Sequence, residues 1–247
     1  MRISNGMRWV LRIGTLVTLA FIYIPLIVIA IYAFNESRSQ RWPIEGLTTE
    51  WFSRAFDNPG VRDALWTSLK AGLGATAIAL VLGTLAALAV SRYRFFGRET
   101  ISFLVILPIA LPGIVTGMAL NATFCIVVVY NNAVARLRRT GTSLEEASQD
   151  LGADGWQTFR NVTLPSLRSA LVAGALLAFA LSFDEIVVTY FTAGTQETLP
   201  LWIFGNMRLP NQAPQVNVVA VAMIVLTAIP VFLAQRLMRE TGGLTGR

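Results

Sequence analysis

Two adjacent carboxylates, Asp184 and Glu185, follow 15 uncharged residues that begin at Ser169. A charge at the centre of an apolar helix costs roughly 2.5–3.5 kcal/mol, so acids in such a stretch need a cation, water or a partner. A second group of acids, Glu145, Glu146, Asp150 and Asp154, falls within residues 143–159, where there is no basic residue. The chain has no histidine and one cysteine, Cys125. Imidazole acid–base chemistry, a thiolate metal cluster and an internal disulfide are therefore excluded. Lys70 is the only lysine, and no Gly-x-x-x-x-Gly-Lys-Ser/Thr loop for nucleotide phosphates occurs. We expect no metal and no cofactor in this chain.

The elements that must position these acids are apolar. Of 247 residues, 54% are apolar and 14% charged, against about 25% charged in a soluble domain, and the mean hydropathy is +0.58. A membrane-crossing helix needs about 20 apolar residues. Residues 13–34, 71–90, 101–130, 169–194 and 216–234 provide such runs. The first is longer than the roughly 7–15 residues of a signal-peptide core, so it reads as a retained span. Within the second, Ala75, Ala79, Gly83 and Ala87 form a seam of small residues that lets another helix approach closely. The sequence thus predicts an all-α integral membrane protein.

Arginines orient the spans. Fourteen of the 20 basic residues fall at 2–12, 92–98, 136–168 and 236–247, which places these segments in the cytoplasm. Residues 35–62 mix arginines with carboxylates and read as an extracytoplasmic loop. The basic excess then reflects membrane orientation rather than nucleic-acid binding. The expected organisation is a cytoplasmic N-terminus at 1–12, a transmembrane domain at 13–238 and a cytoplasmic tail at 239–247. One run conflicts with this scheme. Both flanks of 101–130 are arginine-rich, yet 30 residues are too few for two crossings. The segment around 118–123 is short by this arithmetic.

Residues 143–165 lie between two late spans. Ser143 and Glu146 have the spacing of a capping box, and Gly152 suits a left-handed C-terminal cap. Asp154 with Gln157 suits the start of a second short helix. Pro165 is expected to stop it, because the residue before proline disfavours helix. Leu144, Ala147 and Leu151 share a face of the first helix. Trp156, Phe159 and Val162 on the second need something to pack against. A hairpin lying on lipid would carry a basic face; this one is acidic.

The spacing Glu146-Ala147-Ser148, three residues, Gly152, nine residues, Val162-Thr163-Leu164-Pro165 resembles the coupling-loop signature of ABC importer permeases. Ser148 and Val162 replace an alanine and an isoleucine of that pattern. Tyr23-Ile24-Pro25, residues 46–52, Ser68-Leu69, Leu107-Pro108, Leu111-Pro112-Gly113, residues 181–188, Leu199-Pro200 and Asn217 are similar to permeases of the spermidine/putrescine type. The resemblance implies a type I ABC importer permease with a six-helix core in the bacterial inner membrane, both termini cytoplasmic. It also implies a second permease subunit, two ATPase subunits that hold ATP and Mg, and an extracytoplasmic binding protein. Glu146, Ala147, Ser148, Gly152, Leu164 and Pro165 are the implied contacts for coupling to the ATPase. Relatives have a longer stretch after the counterpart of Gly117, where the span arithmetic also fails.

Two readings of the acid pair remain open. Asp184 and Glu185 supply counter-charge along a path for a cationic substrate, with Phe183 and Tyr190 offering aromatic faces. Alternatively, the helix ends near Phe183 and both acids sit at the wet outer interface. A polyamine is the expected cargo, with another small organic amine or an aminophosphonate as alternatives. Outside this class stand a secondary transporter using the pair as a proton relay and a non-transporting scaffold.

Overall fold

The computed structural model describes residues 5–38, 40, 42–44, 46–100, 103, 121–192 and 194–243. Two compact units divide the chain: Met1–Arg62 with Trp202–Ile224, and Asp63–Leu201 with Val225–Arg247. Among the described residues, four helices are long and apolar enough to span a membrane: Gly6–Ala33, Pro59–Arg92, Gly155–Phe183 and Ala213–Leu237.

In the first unit, α1 (Asn5–Ala33) carries Pro25 inside the helix, and only 6% of its most apolar window is buried. Most of its apolar side chains are therefore exposed. The loop after it is anchored by Asn35. The Asn35 carbonyl accepts the Trp51 indole N–H at 2.9 Å, and the Asn35 side chain accepts the Ser37 N–H at 3.2 Å. A bridge between Asn35 and Leu47 closes the loop onto α2 (Glu50–Asp57). Asn58 then turns the chain into α3 (Pro59–Arg92) by accepting the Gly60 N–H at 2.9 Å.

The second unit is organised by α4 (Asn121–Thr140), which runs ten residues past the apolar stretch ending at Tyr130. One face of α4 explains this: Cys125, Val129, Tyr130, Ala133 and Leu137 are buried, and the arginines lie in the last turns. The small seam of α3 packs on that face. Ala79 joins Cys125, Val129 and Ala178 in one core cluster, and Ala87 joins Tyr130, Ala133, Leu137 and Leu167 in another. Gly83 fits because it has no side chain: a Cβ there would lie 3.0 Å from the Ile126 carbonyl oxygen and 3.1 Å from the Tyr130 nitrogen. Residues 101, 102 and 104–120, including the first half of the segment that the span arithmetic finds short, lie outside the described residues.

After α4 come α5 (Ser143–Asp150), the single-turn α6 (Gly155–Thr158), a π-helical turn at Phe159–Thr163, and α7 (Leu164–Phe183). Pro165 does not stop the helix. It sits at the start of α7, where a missing N–H costs little. The wider π turn before it closes through the Leu164 N–H to the Phe159 carbonyl, and a π bulge is one way a chain relieves a clash in the helical ladder. Short α8 (Val187–Thr192) and α9 (Leu199–Asn206) follow, then α10 (Ala213–Gly243), which carries Pro230.

Candidate docking hairpin and acid pair

The hairpin begins at Gly141, whose φ of +66° lets the chain leave α4 and turn. Thr142, rather than Ser143, is the N-cap of α5. Its carbonyl accepts the N–H groups of Glu145 and Glu146, each at 2.9 Å, while its hydroxyl donates to Glu146 Oε1 at 2.6 Å. The expected box does not form: the N-cap moves to Thr142, which makes no side-chain capping bond. The acid at the third position, Glu145, is drawn away by stronger partners. Arg92, at the end of α3, approaches it twice, Nε to Oε2 at 2.8 Å and Nη2 to Oε1 at 3.0 Å. The Thr163 hydroxyl donates to the same Oε1 at 2.9 Å. Arg92 Nη2 also donates to the Gly141 carbonyl at 2.8 Å.

The turn between the arms follows the sequence. Gly152 has φ +87°, and the N–H groups of Leu151, Gly152 and Ala153 close on Ala147, Gln149 and Ser148. Asp154 and Gln157 form the reciprocal capping box, at 2.7 and 3.0 Å. Ser148 Oγ and Thr158 Oγ1 lie 3.2 Å apart and tie the arms together. At the root, Arg136 Nε donates to the Ser166 carbonyl at 2.9 Å, joining α4 to α7.

This hairpin is rigid at its base and apolar at its tip. Leu151 is 89% exposed, Trp156 67% and Leu144 57%; Ala147, Gly152, Leu164 and Pro165 are exposed too, and Ser148 is half-buried. The Trp156 and Phe159 rings lie 5.6 Å apart, tilted by 34°. Phe159 and Leu164 also line an apolar cavity of about 820 Å³ with Leu85, Phe179 and Ile229. Exposed large apolar side chains are thus grouped on an acidic hairpin, a pattern found at protein- or membrane-interaction surfaces. Sequence reasoning picked Glu146 from the motif and missed Glu145, Arg92 and Thr163. Only the fold brings Arg92 to the hairpin.

The acid pair lies at the end of a helix, not within one. Asp184 is the C-cap of α7, exposed, its N–H on the Ala180 carbonyl at 3.2 Å. Glu185 is half-buried, and its carbonyl accepts the Thr189 hydroxyl at 2.8 Å. Phe183 is buried with its ring 5.7 Å from Phe179. Tyr190 is exposed, edge-on to Phe191 at 5.4 Å. The turn thus brings Asp184, Glu185 and Tyr190 to one short stretch of surface chain, while Phe183 belongs to the packing of α7.

Comparison with known proteins decides the family. The family described as "Binding-protein-dependent transport system inner membrane component" matches residues 3–241. The chain belongs to this family. The permease is 32% identical, over 92% of its length and 93% of the relative's, to the spermidine/putrescine transport system permease protein PotC of Escherichia coli K12. It is 31% identical to the putrescine transport system permease protein PotI of the same organism, over 88% and 86%. A putative 2-aminoethylphosphonate transport system permease protein, PhnV of Salmonella typhi, is 30% identical over 92% of both chains. A solved bacterial alginate ABC transporter, in complex with its pentasaccharide-bound periplasmic protein, superposes with TM-score 0.69 over 97% of this chain and 96% of that one, at 15% identity. The permease therefore has the type I ABC permease fold.

Proposed function

We propose that this permease forms the translocation path for a small polyamine, putrescine or spermidine, in an ATP-driven importer. The observation that carries the cargo is the near-full-length likeness to PotC and PotI. The acid pair supports it. Carboxylates are unfavourable at the negative C-terminal end of a helix, so Asp184 at the end of α7 is best matched by a passing cation. An exposed C-cap turn also gives a buried proton relay little to work with, which weighs against a secondary transporter.

In this reading the hairpin at 143–165 receives the ATPase. Leu144, Leu151 and Trp156 supply the apolar contact, Glu146 and Ser148 its polar rim, and Gly152 the bend. Two ATPase subunits hydrolyse ATP with Mg, a second permease subunit completes the path, and an extracytoplasmic binding protein delivers the cargo. The permease lies in the inner membrane with both termini cytoplasmic. Closure of the ATPases pushes the hairpin, and the Arg92–Glu145 tie carries that motion into α3 and α7, a rigid-body switch of packed helices.

The likeness to PhnV supports one alternative cargo, a small aminophosphonate. Uptake of labelled putrescine into cells stripped of their own polyamine uptake separates the two. Competition by unlabelled spermidine and not by 2-aminoethylphosphonate is the expected result; the reverse order assigns the aminophosphonate.

A further inference from the structure

Three arginines line a small polar cavity in the second unit. The cavity, about 160 Å³, lies between the C-terminal ends of α3 and α4 and is lined by Ser91, Arg92, Arg98, Arg138 and Gly141 over an apolar floor that includes Leu137. Arg92 is committed to Glu145 and the Gly141 carbonyl. Among the described residues, neither Arg98 nor Arg138 has a carboxylate within salt-bridge distance. The Ser91 hydroxyl is buried and makes no hydrogen bond there.

Part of this positive charge answers the fold. Each helix C-terminus carries about half a negative charge, and Glu145 carries one more. Three arginines exceed what those groups neutralise. A confined cavity with surplus guanidinium charge and an unpaired hydroxyl donor matches the chemistry of a tetrahedral oxyanion, whose oxygens accept paired N–H groups in fork geometry.

We propose that this cavity binds a phosphate group, either the headgroup phosphate of an anionic phospholipid or free inorganic phosphate. The site lies at the C-terminal end of α3, a helix long and apolar enough to cross a membrane, beside that of α4, and basic pockets at such helix ends suit lipid headgroups. Its wall is Arg92, so an occupant acts directly on the residue that ties the hairpin to α3. The binding claim stands apart from the transport reading, because its readout is phosphate held on the chain.

The test uses the full chain, purified with the subunits that accompany it, in nanodiscs of phosphatidylcholine with and without phosphatidylglycerol. Native mass spectrometry counts retained phosphatidylglycerol, and equilibrium dialysis with labelled inorganic phosphate follows the free anion in pure phosphatidylcholine. The Arg98→Gln/Arg138→Gln chain should bind roughly tenfold more weakly or worse. The Arg94→Gln/Arg139→Gln chain, altered at arginines outside the cavity, should match wild type. Ser91→Ala, which leaves all charges in place, should bind a few-fold more weakly and serves if the double variant fails to fold. Loss confined to phosphatidylglycerol names the lipid as source, and loss confined to inorganic phosphate names the free ion. Equal binding by all chains overturns the proposal. An equal loss in the outer arginine pair overturns it too, by assigning the anion to diffuse surface charge.

Discussion

Arg92 and Glu145, 53 residues apart in sequence, meet through two contacts of 2.8 and 3.0 Å at the base of the hairpin. The pair is largely withdrawn from solvent, with side-chain exposures of 16% and 17%, and Thr163 donates to the same carboxylate. Three segments, the end of α3, the first turn of α5 and the π turn before α7, are thus held by one acid. Glu145 thus links the first turn of α5 both to α3 and to the turn that leads into α7.

Replacing Glu145 by Gln removes the ion pair and weakens hydrogen bonds to a charged group, a loss of about 1.5–3 kcal/mol per contact in buried settings, and the low end applies at this partial exposure. Amide hydrogen exchange across 143–163 should accelerate, and uptake should fall. Glu146→Gln should leave exchange unchanged, because Glu146 is exposed and bonded to Thr142 within its own turn. Equal exchange in the Glu145 variant would remove the tie from the account.

Gly83→Leu should lower the thermal midpoint of the purified protein, by a destabilisation of about 1–3 kcal/mol. A side chain there meets the α4 backbone at 3.0–3.1 Å, which cannot rotate away. Gly74→Leu, with nothing within 4 Å, should leave the midpoint close to wild type. The comparison is read by fluorescence-monitored melting in detergent.

Asp184→Asn should reduce uptake of a dication several-fold, about 1 kcal/mol for one exposed charge pair, with ATP hydrolysis by the assembly unchanged. Raising ionic strength should shrink the difference, since exposed charges are screened. Uptake that ignores both the substitution and salt takes Asp184 off the path.

What could be read in advance was local. Gly152 and the Asp154–Gln157 box follow from rules that span a few residues, and the structure places them as the spacing predicts. The seam at Ala79, Gly83 and Ala87 was legible because small residues at four-residue spacing have few other uses in a membrane helix. The N-cap shift from Ser143 to Thr142 was not, because Glu145 answers to Arg92 rather than to its own turn. Pro165 misled for a related reason: a π turn changes the geometry that makes proline a stop. For the acid pair, sequence left open whether the helix continues, and α7 ends at Phe183.

The central claim is that the hairpin transmits ATP-driven motion to the path. Its most direct test measures ATP hydrolysis and putrescine accumulation on the same vesicles, for wild type and Gly152→Val. A β-branched residue at φ +87° costs about 1–2 kcal/mol in backbone strain and re-aims the two arms, while an added Cβ meets nothing within 4 Å beyond its chain neighbours. Wild-type vesicles should accumulate putrescine only with ATP, and the variant should hydrolyse ATP with accumulation reduced about tenfold or more. Accumulation at the wild-type rate in the variant, or accumulation without ATP in either, would contradict the account.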